Sequence, residues 1–228
     1  DLLLKLNEVH KQKRQAEGDL EARINNFELA YRMQTDAREA FDVAGEKPET
    51  IAKYGANAQG RQMLIARRLL ERGVRFVQVR QGGWDLHGGI AGRAKRNADQ
   101  LDPAIGAIMD DLKERGLFKD TLIYITSEFG RSPTEDGGGG RSHNARGLST
   151  VLMGGGIKGG MAYGSTDEIG GAAVENKVHV KDIHATVLDR LGFDHEQLTF
   201  RTGGRDFRLT QATRSLPQGG MPVQGILA

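Results

Sequence analysis

Two acids and two imidazoles, Asp85, His87, Glu128 and His143, are the side chains in this sequence best suited to chemistry. Asp85 and His87 stand two apart in Gly82-Gly83-Trp84-Asp85-Leu86-His87, and in an extended segment residues i and i+2 point the same way, so both can reach one ion. Carboxylates mixed with imidazoles suit Zn²⁺, Mn²⁺ or Fe and, with more oxygen donors, Mg²⁺ or Ca²⁺. An ion so held polarises a phosphoryl or sulfuryl oxygen and lowers the pKa of an attacking water or hydroxyl. A plainer reading stands beside each residue. Asp85 equally suits a turn or helix cap and His87 a surface imidazole, while Glu128 suits an ion pair with Arg131 and His143 an ordinary loop position. Arg131, Arg141 and Asn144 are the candidates for holding a substrate; a guanidinium fork fits an oxyanion, although arginine is as common in surface ion pairs. Trp84 reads as a core anchor ahead of an active-site wall. No GxSxG elbow supports a serine triad, and the glycines of 154–160 lack the order of a phosphate loop.

The elements that must position these groups follow from periodicity. The run 74–79, Val-Arg-Phe-Val-Gln-Val, is β-branched and aromatic and predicts a buried strand ending at the glycines before Asp85. A helix carrying Leu101, Ile105, Ile108 and Leu112 follows, with Asp102-Pro103 as a cap and first-turn pair inside or at its start, and Gly116 ends it. The run 121–126 predicts the next strand, which leads into Glu128. Strand, helix and strand at this spacing form a βαβ unit, so the two strands are expected to be parallel, with Asp85, His87 and Glu128 near one sheet edge. Four consecutive glycines at 137–140 then bring His143 back toward that edge, ahead of a third strand at 149–153.

Upstream, residues 2–41 carry a helical pattern, with Leu2, Leu6 and Val9 on one face and Leu20, Ile24, Phe27 and Tyr31 continuing it after Gly18. Residues 59–72 predict a helix with Met63, Ala66 and Leu70 inward and Arg67, Arg68 and Arg72 solvated. Downstream, Asp182 reads as the cap of a helix bearing Ile183, Val187 and Leu191. The expected organisation is a helical segment over 1–58, a sheet and site portion over 59–210, and a weakly ordered Gly/Pro/Gln-rich tail over 211–228.

Composition narrows the partners. Among 228 residues, 32 basic and 30 acidic side chains are well mixed, unlike the basic field of a nucleic-acid binder, and no membrane span is expected. The absence of cysteine excludes disulfides, zinc thiolates and a thiol nucleophile.

Gly83-Trp84-Asp85-Leu86-His87, Ser127-Glu128-Phe129-Gly130-Arg131-Ser132-Pro133 and Gly140-Arg141-Ser142-His143-Asn144, in that order, resemble the bacterial exported, sulfatase-like proteins of the domain of unknown function 1501 family, a branch of the alkaline phosphatase superfamily. The resemblance continues through Asp182-Ile183-His184-Ala185-Thr186-Val187-Leu188 and Gly204-Arg205-Asp206-Phe207-Arg208-Leu209-Thr210 and spans nearly the whole chain. It implies an α/β fold with a doubly wound, mostly parallel sheet, helices on both faces and metal ligands at the strands' carboxyl ends. By the same analogy Asp85, His87, Glu128 and His143 hold a divalent metal (Zn, Mn, Ca or Mg). Phe129 stands where superfamily enzymes carry a second-metal histidine and Ser142 where the family has Asp, which implies a one-metal or altered site. The resemblance further implies export to the periplasm or beyond, and an N-terminal half with the nucleophile upstream of Asp1. The activity it implies is metal-dependent hydrolysis of small-molecule or glycan sulfate or phosphate esters. The alternative is a non-catalytic ligand-binding or scaffold protein that retains a degenerate metal site.

Overall fold

The structure, a computed structural model, describes residues 2, 5–7, 9, 18–36, 38–214 and 217–228. The chain divides into two units, residues 1–80 with 100–108, and residues 81–99 with 109–228.

The first unit is helical. Residues 2, 5–7 and 9 are helical, followed by α1 (Gly18–Asp36), α2 (Arg38–Phe41), α3 (Pro48–Tyr54) and α4 (Ala58–Glu71). The part of the expected helical pattern at 10–17, and the side chain of Leu20, lie outside what is described. The expected apolar stripe is not buried here: Leu2, Leu6, Val9, Phe27 and Tyr31 are all exposed. The packed part lies further on, around Ala40, Tyr54, Leu64 and Ala66. Helix α4 starts where it does because the Asn57 side chain accepts from the Gly60 N–H at 2.9 Å, satisfying one of the orphan donors of the first turn. Arg67, expected to be solvated, is 3% exposed; ion pairs to Glu46 at 2.9 Å and Glu71 at 2.8 Å are what make burial of the guanidinium tolerable.

Helix α5 (Ile90–Glu114) runs far longer than its apolar spacing predicts, beginning at the left-handed Gly89 and continuing through Pro103. Proline removes one i to i−4 bond without ending the helix here, so Asp102-Pro103 marks no start.

The doubly wound parallel sheet is contradicted. Among the described residues every ladder is antiparallel and two-stranded: β1 (Leu122–Ile125) with β4 (Val151–Gly154), β2 (Gly130–Glu135) with β3 (Arg141–Asn144), β5 (Ser165–Thr166) with β6 (Ala173–Glu175), and β7 (Phe200–Thr202) with β8 (Arg205–Phe207). The run 74–79 joins none of them, and its Phe76 is 75% exposed. A βαβ unit needs that run as a ladder partner for β1; β1 instead meets β4 head to tail, Leu122 opposite Gly154 and Ile125 opposite Val151.

In the second unit, Leu86, Leu112, Ile183, Ala185, Val223 and Ile226 are buried. Helix α6 (Val180–Arg190) is capped by His179 and not by Asp182, which closes a capping box from the third helical position. Where composition predicts a weakly ordered end, Val223 and Ile226 are 8% exposed, and the Lys158 N–H donates to the Ile226 carbonyl at 2.8 Å. No helix among the described residues is long and apolar enough to cross a membrane.

Candidate metal centre

The site is built by two backbone segments of the second unit, residues 82–89 and the β2–β3 hairpin. Leu86, between the two polar residues, is 1% exposed while Asp85 and His87 are exposed, so the two share the side of that segment opposite Leu86. The β2–β3 hairpin sets Arg131 directly across from His143. The two segments are stapled together: the Arg141 N–H donates to the Leu86 carbonyl at 3.0 Å, the Gly89 N–H to the Gly138 carbonyl at 2.9 Å and the Ile90 N–H to the Gly139 carbonyl at 3.0 Å.

This stapling gathers three ligand-type atoms. His87 Nε2 lies 3.0 Å and His143 Nε2 3.1 Å from Asp85 Oδ1, and the two Nε2 atoms are 3.2 Å apart. Donors ~2.1 Å from a shared ion stand roughly 3.0–3.4 Å apart at octahedral or tetrahedral angles, so the triangle has the right size for one ion. The side chains of Asp85, His87 and His143 are 65%, 47% and 49% exposed, which leaves the remaining coordination positions open to solvent or substrate. Arg131 Nη1 donates to the same Asp85 Oδ1 at 2.8 Å. Its guanidinium, and then the His143 imidazole, hold the Asp85 carboxyl down at about 2. The Phe129 ring stacks against His143 at 4.2 Å between centroids, a wall that limits the ring's rotation.

The other sequence candidates fall elsewhere. Glu128 is not in the triangle; it lines an adjacent cleft of about 460 Å³ with Trp84, Asp85, Phe129, Arg131 and Leu148. Among the described residues Glu128 has no hydrogen-bond or ion-pair partner, and the Arg131 expected to pair with it binds Asp85 instead. Arg141 Nη1 turns back to the Gly140 carbonyl at 2.9 Å. Asn144 is buried with both ends of its amide engaged, donating to the Gly171 carbonyl and accepting from the Arg146 N–H. Trp84, read as a core anchor, is 37% exposed and lines the cleft, its Nε1–H donating to Gln81 Oε1 at 2.9 Å.

One residue escaped sequence reasoning. Asp136 Oδ2 lies 3.0 Å from His87 Nδ1, on the far side of the ring from the triangle. Its carboxyl is held below the usual range by His87 and then by the Ser142 hydroxyl. The available signal was the glycine run 137–140 directly after it, which allows the chain to turn back over residue 87.

The family model described as "Protein of unknown function (DUF1501)" matches residues 1–218. No curated protein and no solved structure matches the chain.

Proposed function

Because the chain belongs to the DUF1501 family, whose description carries no activity, the chemistry rests on the site, and we propose that the protein is a metal-dependent hydrolase of phosphate or sulfate esters. The observation that supports this reading is the triangle of Asp85 Oδ1, His87 Nε2 and His143 Nε2, no two atoms more than 3.2 Å apart, with a guanidinium on the shared carboxylate. Two imidazoles and one carboxylate favour Zn²⁺, Mn²⁺ or Fe²⁺ over the all-oxygen preferences of Mg²⁺ and Ca²⁺. A bound ion supplies Lewis-acid polarisation of the ester and a lowered pKa for its water.

The chain's own residues do the rest. Arg131 sits between the triangle and the cleft and offers its remaining N–H groups to a phosphoryl or sulfuryl oxygen. Trp84, Phe129 and Leu148 give the cleft apolar walls for the ester's organic group, and Glu128 places an unpaired carboxylate there as an acceptor for a proton from attacking water. This reading keeps Asp85, His87 and His143 as ligands and Arg131 as the oxyanion residue, gives Glu128 a proton-accepting role instead of a ligand's, and leaves behind the doubly wound fold.

The same donor set occurs in mononuclear iron(II) oxygenases, and that supports a second reading, an iron enzyme that consumes O₂. Metal analysis of the purified protein beside His143→Ala decides the ligand assignment, and equal metal content in the two would sink it. Phenyl phosphate and phenyl sulfate with Zn²⁺ or Mn²⁺ then test hydrolysis. Turnover supports the ester reading; oxygen uptake dependent on Fe²⁺ supports the second. Bound metal with neither activity leaves a ligand-binding protein.

A further inference from the structure

His87 uses both of its ring nitrogens, and the two face carboxylates on opposite sides: Nε2 toward Asp85 Oδ1 at 3.0 Å and Nδ1 toward Asp136 Oδ2 at 3.0 Å. A neutral imidazole has one N–H to give, and only the nitrogen without it can ligate a cation. The two carboxylates therefore compete for one proton, with opposite consequences. If Asp85 takes it, Nε2 is blocked and the triangle has two usable donors instead of three. If Asp136 takes it, the Nε2 lone pair faces Asp85 and His143.

The surroundings favour Asp136. Asp85 Oδ1 already accepts from Arg131 at 2.8 Å and meets His143 Nε2 at 3.1 Å, so its lone pairs are heavily committed. Asp136 is held in place from its own loop, where its N–H donates to the Gly140 carbonyl at 3.1 Å and Glu135 accepts from the Gly139 N–H at 2.9 Å. That loop rests directly on the backbone of His87. A Cβ at Gly140 would lie 2.0 Å from the His87 carbonyl carbon, an approach only glycine permits.

We propose that Asp136 is a positioning residue that holds His87 in its Nδ1–H tautomer and so sets the site's affinity for a divalent cation. The inference rests on the metal reading of the triangle, but its central claim concerns a proton on an imidazole and is observable without metal. Carboxylate partners of ligating histidines act in this way in other proteins, where their loss weakens metal binding about 10–100-fold.

The test combines long-range ¹H–¹⁵N correlation spectra of the metal-free protein, recorded across a pH series up to the point where the His87 ring nitrogens no longer change, with Zn²⁺ titration. In the wild type His87 is expected as the Nδ1–H tautomer, with an unprotonated Nε2. Asp136→Ala shifts the ring toward Nε2–H and weakens Zn²⁺ binding about 10–100-fold. Asp136→Asn retains a carbonyl acceptor and falls between them, and it serves in place of the alanine variant should that fail to fold. A wild-type His87 found as Nε2–H, or an Asp136→Asn protein with wild-type tautomer and wild-type affinity, overturns the proposal. If the wild type binds no Zn²⁺, the metal reading fails by itself. The role of Asp136 is then decided by the spectra: a tautomer that changes in the variants upholds it, and an unchanged one overturns it.

Discussion

At the scale of single residues, the site depends on close approaches that leave no room for a side chain. A Cβ at Gly130 would lie 1.6 Å from the Gly147 carbonyl oxygen, and Gly130 opens β2 next to Arg131. Gly130→Ala is expected to destabilise the second unit by about 3 kcal/mol and to lower metal affinity with it, measured by urea unfolding and Zn²⁺ titration; an unchanged midpoint would contradict the packing described. Trp84 offers a second measurement because it is the chain's one tryptophan. If the cleft binds the organic group of an ester, phenyl phosphate changes the Trp84 emission saturably, and Arg131→Met weakens that binding about 10-fold through loss of a charge-assisted hydrogen bond. Emission that does not respond at any phenyl phosphate concentration would remove the cleft from the substrate site.

At the scale of elements, α6 is braced by side-chain hydrogen bonds to the C-terminal residues. Thr186 is fully buried; its hydroxyl donates to the Asp182 carbonyl at 2.7 Å and accepts from the Val223 N–H at 2.9 Å. Asp182 Oδ1 in turn accepts from the Met221 N–H, so the helix start and the C-terminal residues are tied at two points. Thr186→Val keeps the shape and orphans the Val223 N–H, at an expected cost of ~1–3 kcal/mol, with faster hydrogen exchange at Val223 as the local readout. Thr186→Ser keeps the hydroxyl and costs less. A comparable cap was visible in the sequence at Asp182, but the box places His179 at the cap itself, because an imidazole nitrogen can accept from the Lys181 N–H at 3.1 Å as well as a carboxylate would.

At the scale of the molecule, the helical unit is held by a charge network. Glu46 pairs with Arg67 and Arg68, Arg67 also pairs with Glu71, and Arg68 donates to the carbonyls of Glu39 and Ala40. Burial raises the Glu46 pKa, but the hydrogen bonds from Arg68 and Arg67 outweigh it and hold the carboxyl below its ordinary 4.5. A depressed folded pKa contributes stability that is complete above the unfolded value and lost as pH falls through the folded one. The first unit should therefore weaken below pH 4.5 in the wild type. Glu46→Gln should be less stable at neutral pH by about 2 kcal/mol and lose part of that acid sensitivity, read by hydrogen exchange within α4 across the pH series.

What the amino-acid order determined by itself was local. The alternation that sends Leu86 inward and Asp85 with His87 outward together, the helix at 58–71 and the strand content of 122–125 and 151–154 are all properties of neighbouring residues. Strand partners were not legible, since an apolar run such as 74–79 looks the same whether a ladder uses it or leaves it unpaired, and the direction of β1 is set by β4, some 25 residues away. Nor was Asp136, whose role exists only because a glycine turn lays it over a residue 49 positions earlier. Arg67 was misplaced for the same reason: a guanidinium is solvated or buried according to carboxylates that other helices bring to it. The sequence named four donors for the candidate centre, and the tertiary structure decided that three of them, Asp85, His87 and His143, meet, because the staples from Leu86 to Arg141 and from Gly89 to Gly138 are bonds between distant backbones that no local pattern encodes.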